Sequence, residues 1–165
     1  MRRPRPFVIT AAGIVAAVVI TVFFFLPPRL VIADSDSGHI FWQKNVHDGD
    51  EFSVEFIHSV NQTPVRDTFC IEGRRPNRLL IKPVSTLFYN FGAGMQTDLP
   101  EGQTLTRRGD ALVISGFTQS FNELNFIVGT VSDHIFFFGD EEISLRNLCG
   151  RNAHITFRVV RPFGY

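Results

Sequence analysis

From about residue 40 onward, apolar positions alternate with polar ones in short runs and do not recur at the spacing of a helix. Phe52, Val54 and Phe56 alternate with charged or hydroxyl side chains, and the same period returns over residues 65–71. Turn-forming residues interrupt these runs about every ten positions. This pattern is typical of strands with one buried face, and it predicts an all-β domain.

The alternation predicts nine to eleven short strands, a number that favours a small β-sandwich or a partly closed barrel. Only residues 117–124 leave room for a helical turn. Asp48-Gly49, Gly109-Asp110 and Gly139-Asp140 stand where hairpins are expected to turn. The predicted strands are 40–46, 51–56, 65–71, 79–84, 86–91, 103–107, 111–115, 126–131, 134–138, 143–148 and 155–160.

The loop at residues 61–64 allows a register to be predicted for the two strands beside it. If this loop has four residues, apolar side chains meet apolar side chains across the hairpin. The match favours the register because a slip of one residue would send each side chain to the opposite face. The predicted partners are Val60 with Val65, Phe56 with Phe69, Val54 with Ile71, His58 with Asp67 and Ser59 with Arg66.

Ahead of the β region, residues 7–26 form a stretch of 20 residues without a charge. A helix of that length spans about 30 Å, the thickness of the hydrocarbon core of a bilayer. Arginines precede it, so the positive-inside rule predicts a cytoplasmic tail at 1–6. The expected organisation is this tail, a single-pass transmembrane signal-anchor helix at 7–26, a linker at 27–38 and a β domain at 39–165.

A cleaved signal peptide is the alternative, because Val31-Ile32-Ala33 offers a cleavage site. The apolar run is, however, longer than the roughly 7 to 15 residues of a signal peptide. Both interpretations put the β domain outside the cytoplasm, in the periplasm or outside the cell. Cys70 and Cys149 both fall in this domain, where an oxidising compartment allows a disulfide between them. The sequence leaves that pairing open.

Charge excludes one class of partner. Lysine and arginine number 16, as do aspartate and glutamate. Because residues 1–33 carry four arginines and no acid, the remainder is mildly acidic, unlike a nucleic-acid-binding domain. Hydrophobic residues make up 44%, including 18 phenylalanines, so the chain has enough apolar surface to fold.

The adjacent His58 and Ser59 suggest a hydrolase, but successive side chains on a strand point to opposite faces. His58 therefore cannot serve as the base for Ser59, and no Gly-x-Ser-x-Gly motif occurs. The sequence predicts a protein that is not an enzyme, with a hydrolase as the weaker alternative. None of the five histidines forms a pair at metal-ligand spacing, so neither a metal nor a cofactor is expected.

His58 and Asp67 form either a structural polar pair or, with Ser59 and Arg66, part of a site for a small ligand or a partner loop. The stretch Gly92-Ala93-Gly94 has two interpretations as well. Its glycines suit a tight turn, and its backbone N–H groups could also bind an anion. The small-ligand function predicted from these residues is an anion-binding module.

Several short motifs stand out together along the chain: Phe56-Ile57-His58-Ser59-Val60, Thr63-Pro64-Val65, Phe91-Gly92-Ala93-Gly94-Met95, Gly129 and Ser132-Asp133-His134. In these motifs the sequence resembles the bacterial family known as domain of unknown function eighteen-fifty. The resemblance covers roughly residues 35–160. Where family members commonly carry glutamate, this chain has Asn61 after His-Ser-Val and Asp67 further on. The first difference removes a carboxylate from the loop and the second keeps one.

The resemblance implies one N-terminal membrane segment and genes beside those of TAXI-type TRAP transporters, which import small acids by means of an extracytoplasmic binding protein. We therefore expect a non-catalytic binding or accessory domain, anchored to the cytoplasmic membrane. The expected partners are the membrane and either the TRAP permease or its binding protein.

Overall fold

A computed structural model describes residues 13–16, 26–74, 78–89 and 99–161. Its β domain is all-β and contains eleven strands within those ranges, which confirms the predicted fold class. One short helix, Leu145–Cys149, follows β10. The strands are β1 (Arg29–Asp34), β2 (Ile40–Asn45), β3 (Glu51–Ile57), β4 (Pro64–Arg74), β5 (Arg78–Tyr89), β6 (Thr104–Arg108), β7 (Ala111–Ser115), β8 (Glu123–Ile127), β9 (His134–Phe138), β10 (Glu141–Ser144) and β11 (His154–Val160).

The strands form two open sheets, so the fold is a sandwich and not a closed barrel. One sheet has four strands in the order β2-β1-β11-β8, and the other has seven in the order β10-β9-β3-β4-β5-β7-β6. Every neighbouring pair is antiparallel. β5 joins two predicted strands into one, and a register shift between Thr68 and Phe69 accommodates an extra residue of β5 at Val84.

Aromatic rings from both sheets meet in the core. Phe157 of β11 stacks on Phe52 of β3 at 5.5 Å between ring centroids and lies 5.6 Å from Phe136 of β9. Trp42 of β2 contacts Phe136 at 4.9 Å. Phe52, Phe136 and Phe157 are all buried, because each is an inward-facing residue of its strand. This aromatic cluster binds the two sheets together.

The run Ile135–Phe138 is apolar on both faces, and the structure shows how each face is covered. Phe136 and Phe138 face the core and are buried. Phe137 points the other way, and the guanidinium of Arg66 lies 4.3 Å above its ring. The strand can be apolar on both faces because one face is buried in the core and the Arg66 cation lies over Phe137 on the other.

The predicted linker 27–38 was wrong over its middle residues. Residues 29–34 form β1, which pairs with β2 on one side and β11 on the other. The run Leu30–Ala33 is buried. It contains Val31-Ile32-Ala33, the cleavage site that the signal-peptide alternative requires. An apolar run without alternation is typical of a strand buried on both faces, and the preceding prolines concealed that signal.

The turn at Asp48-Gly49 is present, but the predicted hairpin is wrong. Gly49 has a φ of +90°, the left-handed conformation that glycine adopts readily. β2 and β3 do not pair across it, since they belong to different sheets. The turn instead carries the chain from one sheet to the other. The hairpins at Gly109 and Gly139 are confirmed, with registers closed by Arg108–Ala111 and Phe138–Glu141.

The helix also lies elsewhere than predicted. Residues 143–148 were expected to be a strand and 117–124 a helical turn, but β10 ends at Ser144 and a helix begins there, while β8 begins at Glu123. The Ser144 hydroxyl accepts a hydrogen bond from the N–H of Asn147 at 3.0 Å, which is an N-cap. The apolar residues around Ser144 follow a pattern that is also typical of a strand, so the sequence pattern did not reveal the cap.

The predicted membrane helix at 7–26 falls mainly outside the described residues; of it, 13–16 are helical and Leu26 precedes β1. Among the residues that the structure describes, no helix has the length and apolar character needed to cross a bilayer.

Replacing Phe157 with alanine is expected to lower the free energy of unfolding by about 3–5 kcal/mol, because it removes the ring that contacts both Phe52 and Phe136. Phe121→Ala is the matched control, since Phe121 is 37% exposed; its cost should stay within about 1 kcal/mol. Urea unfolding followed by tryptophan fluorescence measures both. Equal losses in the two variants would contradict the assigned core.

Candidate functional site

The hairpin between β3 and β4 does not have the predicted register. Phe56 pairs with Val65 and Val54 with Asp67, in each case four residues earlier on β4 than the expected partner. His58 therefore does not face Asp67, and Ser59 does not face Arg66. Because the shift is an even number of residues, every side chain keeps the face that was predicted for it.

The turn itself explains the shift, because it spans residues 58–63, inside the closing pair Ile57 and Pro64, and is therefore centred two residues earlier than the expected loop 61–64. The N–H of His58 donates to the carbonyl of Thr63 at 2.9 Å, and the N–H of Gln62 donates to the carbonyl of His58 at 2.9 Å. Gln62 has a φ of +53°, a conformation that a sequence pattern does not reveal for a residue other than glycine. His58 thus begins the loop and is not part of the strand.

His58 forms hydrogen bonds within its own loop. Its Nδ1 atom accepts hydrogen bonds from the N–H groups of Val60 at 3.3 Å and Asn61 at 3.4 Å. An accepting Nδ1 leaves the ring proton on Nε2. Ser59 is exposed, and its carbonyl accepts a bond from the amide of Gln62 at 2.6 Å. This geometry gives the Ser59 hydroxyl no contact with a base.

Asp67 lies deeper in the sandwich than His58. It faces inward from β4, and its carboxyl accepts a hydrogen bond from the hydroxyl of Thr86 at 2.6 Å. Burial raises the pKa of Asp67, against the opposing effect of the Thr86 bond. Its neighbour Arg66 points to the other face and forms an ion pair with Glu55 at 2.8 Å. The four predicted residues of this hairpin therefore serve three separate environments.

The loop before β9 lies against the end of β3. The hydroxyl of Ser132 accepts a hydrogen bond from the N–H of Ile57 at 2.9 Å, and His134 pairs with Phe56 in the ladder, with their rings 5.1 Å apart. Nδ1 of His134 accepts from the N–H of Gly129 at 3.1 Å. Burial lowers the pKa of His134, and Arg146 lowers it as well, against the opposing effect of Asp133.

Asp133 fixes the same loop to the short helix. Its carboxylate accepts hydrogen bonds from the Ser144 hydroxyl at 2.6 Å and from the N–H of Arg146 at 3.1 Å. The Arg146 side chain in turn donates to the carbonyl of Gly129 at 3.1 Å. A carboxylate at a helix N-terminus is favourable because it bonds free N–H groups there. The loop is thus held rigidly from both sides.

The end of β5 lies at the same place. The hydroxyl of Thr63 donates to the carbonyl of Tyr89, the last residue of β5, at 3.0 Å. Gly92, Ala93 and Gly94 follow three to five residues later and lie outside the described residues. The loops 58–63 and 129–133 and the end of β5 therefore meet at one end of the seven-stranded sheet. We call this region the motif end.

Exposed apolar side chains surround the motif end. Val131 is 86% exposed, Val60 63% and Ile57 41%. Ile57, the last residue of β3, is joined to the loop of Val131 by the bond to Ser132, so the end of β3 and the loops of Val60 and Val131 adjoin one another. We refer to Ile57, Val60 and Val131 as the motif-end patch. Exposed apolar residues grouped on rigid loops are typical of a contact surface.

The disulfide that the sequence left open is not formed. Cys70 lies on β4 and Cys149 ends the short helix, and both are free, partly buried thiols. Burial raises the pKa of Cys70, and it raises that of Cys149 to about 11. Since the thiolate is the reactive form, both side chains are inert near neutral pH.

Sequence reasoning did not include Asp133, His134 and Arg146 among the site residues. The signal for the first two was present in the Ser132-Asp133-His134 motif, whereas nothing in the sequence connected Arg146 to it. In the part of the chain that the structure describes, no group of three or more histidine, cysteine or acidic side chains is arranged to hold a metal.

Gly129→Ala is expected to destabilise the fold by about 1–3 kcal/mol, because an added Cβ would lie 2.3 Å from the carbonyl oxygen of Ser132. Gly139→Ala is the control: its Cβ would meet open space, and only the positive φ opposes it, at a cost of about 1 kcal/mol. Thermal unfolding compares the two. A smaller loss at Gly129 than at Gly139 would contradict the packing of this loop.

Asp67→Asn is expected to increase stability at pH 7 by on the order of 1 kcal/mol, since asparagine keeps an acceptor for Thr86 without a buried charge. The pKa of Asp67 is raised, so its favourable contribution is complete below the ordinary value of 3.8 and is lost as the pH rises through the folded-state value.

The gain from Asp67→Asn should therefore shrink toward zero below about pH 4. Urea titrations at pH 7 and pH 3.5 measure it. Asp36→Asn, at an exposed turn position, serves as the control and should change stability at neither pH. A loss of stability at pH 7 in the Asp67 variant would show that the ionised carboxylate is stabilising.

Comparison with known proteins gives one match. The family described as Domain of unknown function (DUF1850) matches residues 52–145, more than half of the chain. The match runs from the second residue of β3 to the start of the short helix, and includes nearly all of the seven-stranded sheet, β8 of the other sheet and the loops 58–63 and 129–133. No curated protein and no solved structure matches significantly. The chain therefore belongs to the DUF1850 family.

Proposed function

We propose that the protein is a membrane-anchored, extracytoplasmic accessory domain that binds a partner protein through its motif end and catalyses no reaction. The observation that carries this proposal is the meeting of the motif loops, distant in sequence, around an exposed apolar patch. Such a patch on loops fixed by hydrogen bonds can bind with little loss of conformational entropy.

The hydrogen bonds at the motif end favour a binding role over a catalytic one. The Nδ1 atom of His58 accepts hydrogen bonds from N–H groups of its own loop, and Asp133 caps the short helix. Ser132 accepts from Ile57 and donates to the carbonyl of Asp133. These polar side chains hold the loops in shape, which leaves the apolar residues to make the contact.

The proposed partner is the extracytoplasmic binding protein of a TAXI-type TRAP transporter, as the family resemblance implies. One structural distance favours this protein over the permease. The N–H of Val46 donates to the carbonyl of Pro28, so the N-terminal segment joins the sandwich near the start of β3. The seven residues of β3 then lead away to Ile57, a distance of about 20 Å.

An anchor at residues 7–26 would thus hold the motif end away from the bilayer surface. A patch at that distance suits a partner that moves outside the membrane, and is less suited to the buried surface of a permease. The uncharged stretch at 7–26, preceded by arginines, supports the anchor and its orientation.

The test is affinity purification of the tagged full chain from native membranes. We expect the TAXI-type binding protein to co-elute with the wild type and to be lost, by at least tenfold, from the double variant Val60→Asp, Val131→Asp. Two charges buried in an apolar contact account for that loss.

Leu105→Asp is the matched control, because Leu105 is 38% exposed on β6 and is not part of the patch. It should retain the partner. The proposal would be wrong if the wild type recovered neither transporter component, or if the patch variant recovered the binding protein as well as the wild type does. Recovery of the permease alone would overturn the choice of the binding protein.

A further inference from the structure

We infer that the outer face of the four-stranded sheet holds a binding site for a small organic acid with a single carboxylate. A cavity of about 560 Å³ opens on this face. That volume falls within the usual range of small-molecule sites, about 300–1,000 Å³. The residues lining it, here called the sheet-face cavity, are Ala33, Asp34, Ser35, Gly38, Glu123, Asn125, Phe126, Ile127, His154, Thr156 and Arg158.

The alternation of β11 explains why polar groups gather here. Ile155 and Phe157 face the core and are buried, so Thr156 and Arg158 must point outward between them. Asn125 on β8 pairs with Thr156 in the ladder, which brings a third polar side chain to the same face. The two middle strands of the sheet therefore form the floor of the cavity, and β8 forms one wall.

A chain of hydrogen bonds sets the orientation of Asn125. The Thr156 hydroxyl donates to Oδ1 of Asn125 at 2.7 Å, so its own oxygen is free to accept from the hydroxyl of Ser35 at 2.8 Å. With Oδ1 committed to Thr156, the two N–H donors of the exposed Asn125 amide are left for another partner at the cavity that this residue lines.

Arg158 supplies the positive charge. Its Nε atom is buried and, among the residues that the structure describes, has no hydrogen-bond partner. Glu123 pairs with Arg158 in the ladder, yet no ion pair joins their side chains. Because Arg158 lines the cavity, its guanidinium can offer an anion there a charge-assisted hydrogen bond. The flat guanidinium matches a carboxylate in particular, because the two groups can form parallel hydrogen bonds.

The remaining walls favour a ligand with one carboxylate and an apolar body. Asp34 and Glu123 both line the cavity and repel negative charge, so a carboxylate is favourable only where it contacts Arg158, and a second one on the ligand would only be repelled. Asp34 is fixed in place, since it accepts from the N–H and hydroxyl of Ser37, each at 2.7 Å. Ile127 offers apolar surface, since it is 57% exposed.

This site is separate from the motif end and does not depend on the proposed function. The two surfaces belong to different sheets. Most of the cavity also lies outside the family match, because β1 and β11 fall beyond residues 52–145. The site is therefore a property of this chain that membership of the family would not reveal.

Thermal unfolding of the full chain with butyrate tests the inference. Butyrate has one carboxylate and a short apolar body. At ten times its dissociation constant we expect the unfolding temperature to rise by about 3–6 °C, because the ligand binds only the folded state. Butyramide, which has the same size and no charge, should give no shift, and succinate, with two carboxylates, should give a smaller one. Sodium chloride at equal ionic strength corrects for salt.

Two variants connect the shift to the cavity. Arg158→Gln removes the cation, and Asn125→Asp places a negative charge at an exposed position of similar shape; both should abolish the shift produced by butyrate. Arg151→Gln is the matched control, since it removes one exposed arginine outside the cavity and should keep the shift.

The double variant Val60→Asp, Val131→Asp separates the cavity from the motif-end patch, because it should leave the butyrate shift unchanged. The inference is overturned if the wild type shows no shift with butyrate, or if Arg158→Gln and Asn125→Asp both retain it. A shift reproduced in full by inorganic phosphate would also overturn it, since the apolar walls would then make no contribution.

Discussion

The packing of Phe157 against Phe52, on which it stacks, and against Phe136 is the contact on which the rest of the structure depends. It is the place where the two sheets meet, and neither sheet can bury its apolar face alone. Once these rings are in contact, the faces of all neighbouring strands are assigned, since side chains alternate along each strand. The core face, the patch and the cavity face follow from that single choice.

Sheets of unequal size then give the molecule two distinct surfaces. The seven-stranded sheet extends beyond the four-stranded one, and its loops at one end are braced by Ser132, Asp133 and Thr63. The smaller sheet keeps an outer face that carries Arg158 and Asn125. One surface is apolar and the other is charged and concave, which suits the first to a protein and the second to a small anion.

The hairpin at residue 58 shows why a register is harder to predict than a strand. The alternation assigned each residue of β3 and β4 to its correct face, because face depends only on local period. The partner of each residue depends on where the turn is centred, and the observed loop 58–63, which contains the left-handed Gln62, is centred two residues earlier than expected. The predicted pairing of His58 with Asp67 failed for that reason.

The sequence by itself determined that the domain is all-β, where most strands lie and which residues face inward, because period and turn residues act locally. Only the tertiary structure decided that Leu30–Ala33 is a central strand, that the turn at Gly49 changes sheets and that Cys70 and Cys149 stay apart. It also decided which polar residues share a surface. Such placements depend on packing between segments far apart in the chain, and no local pattern encodes the distance between them.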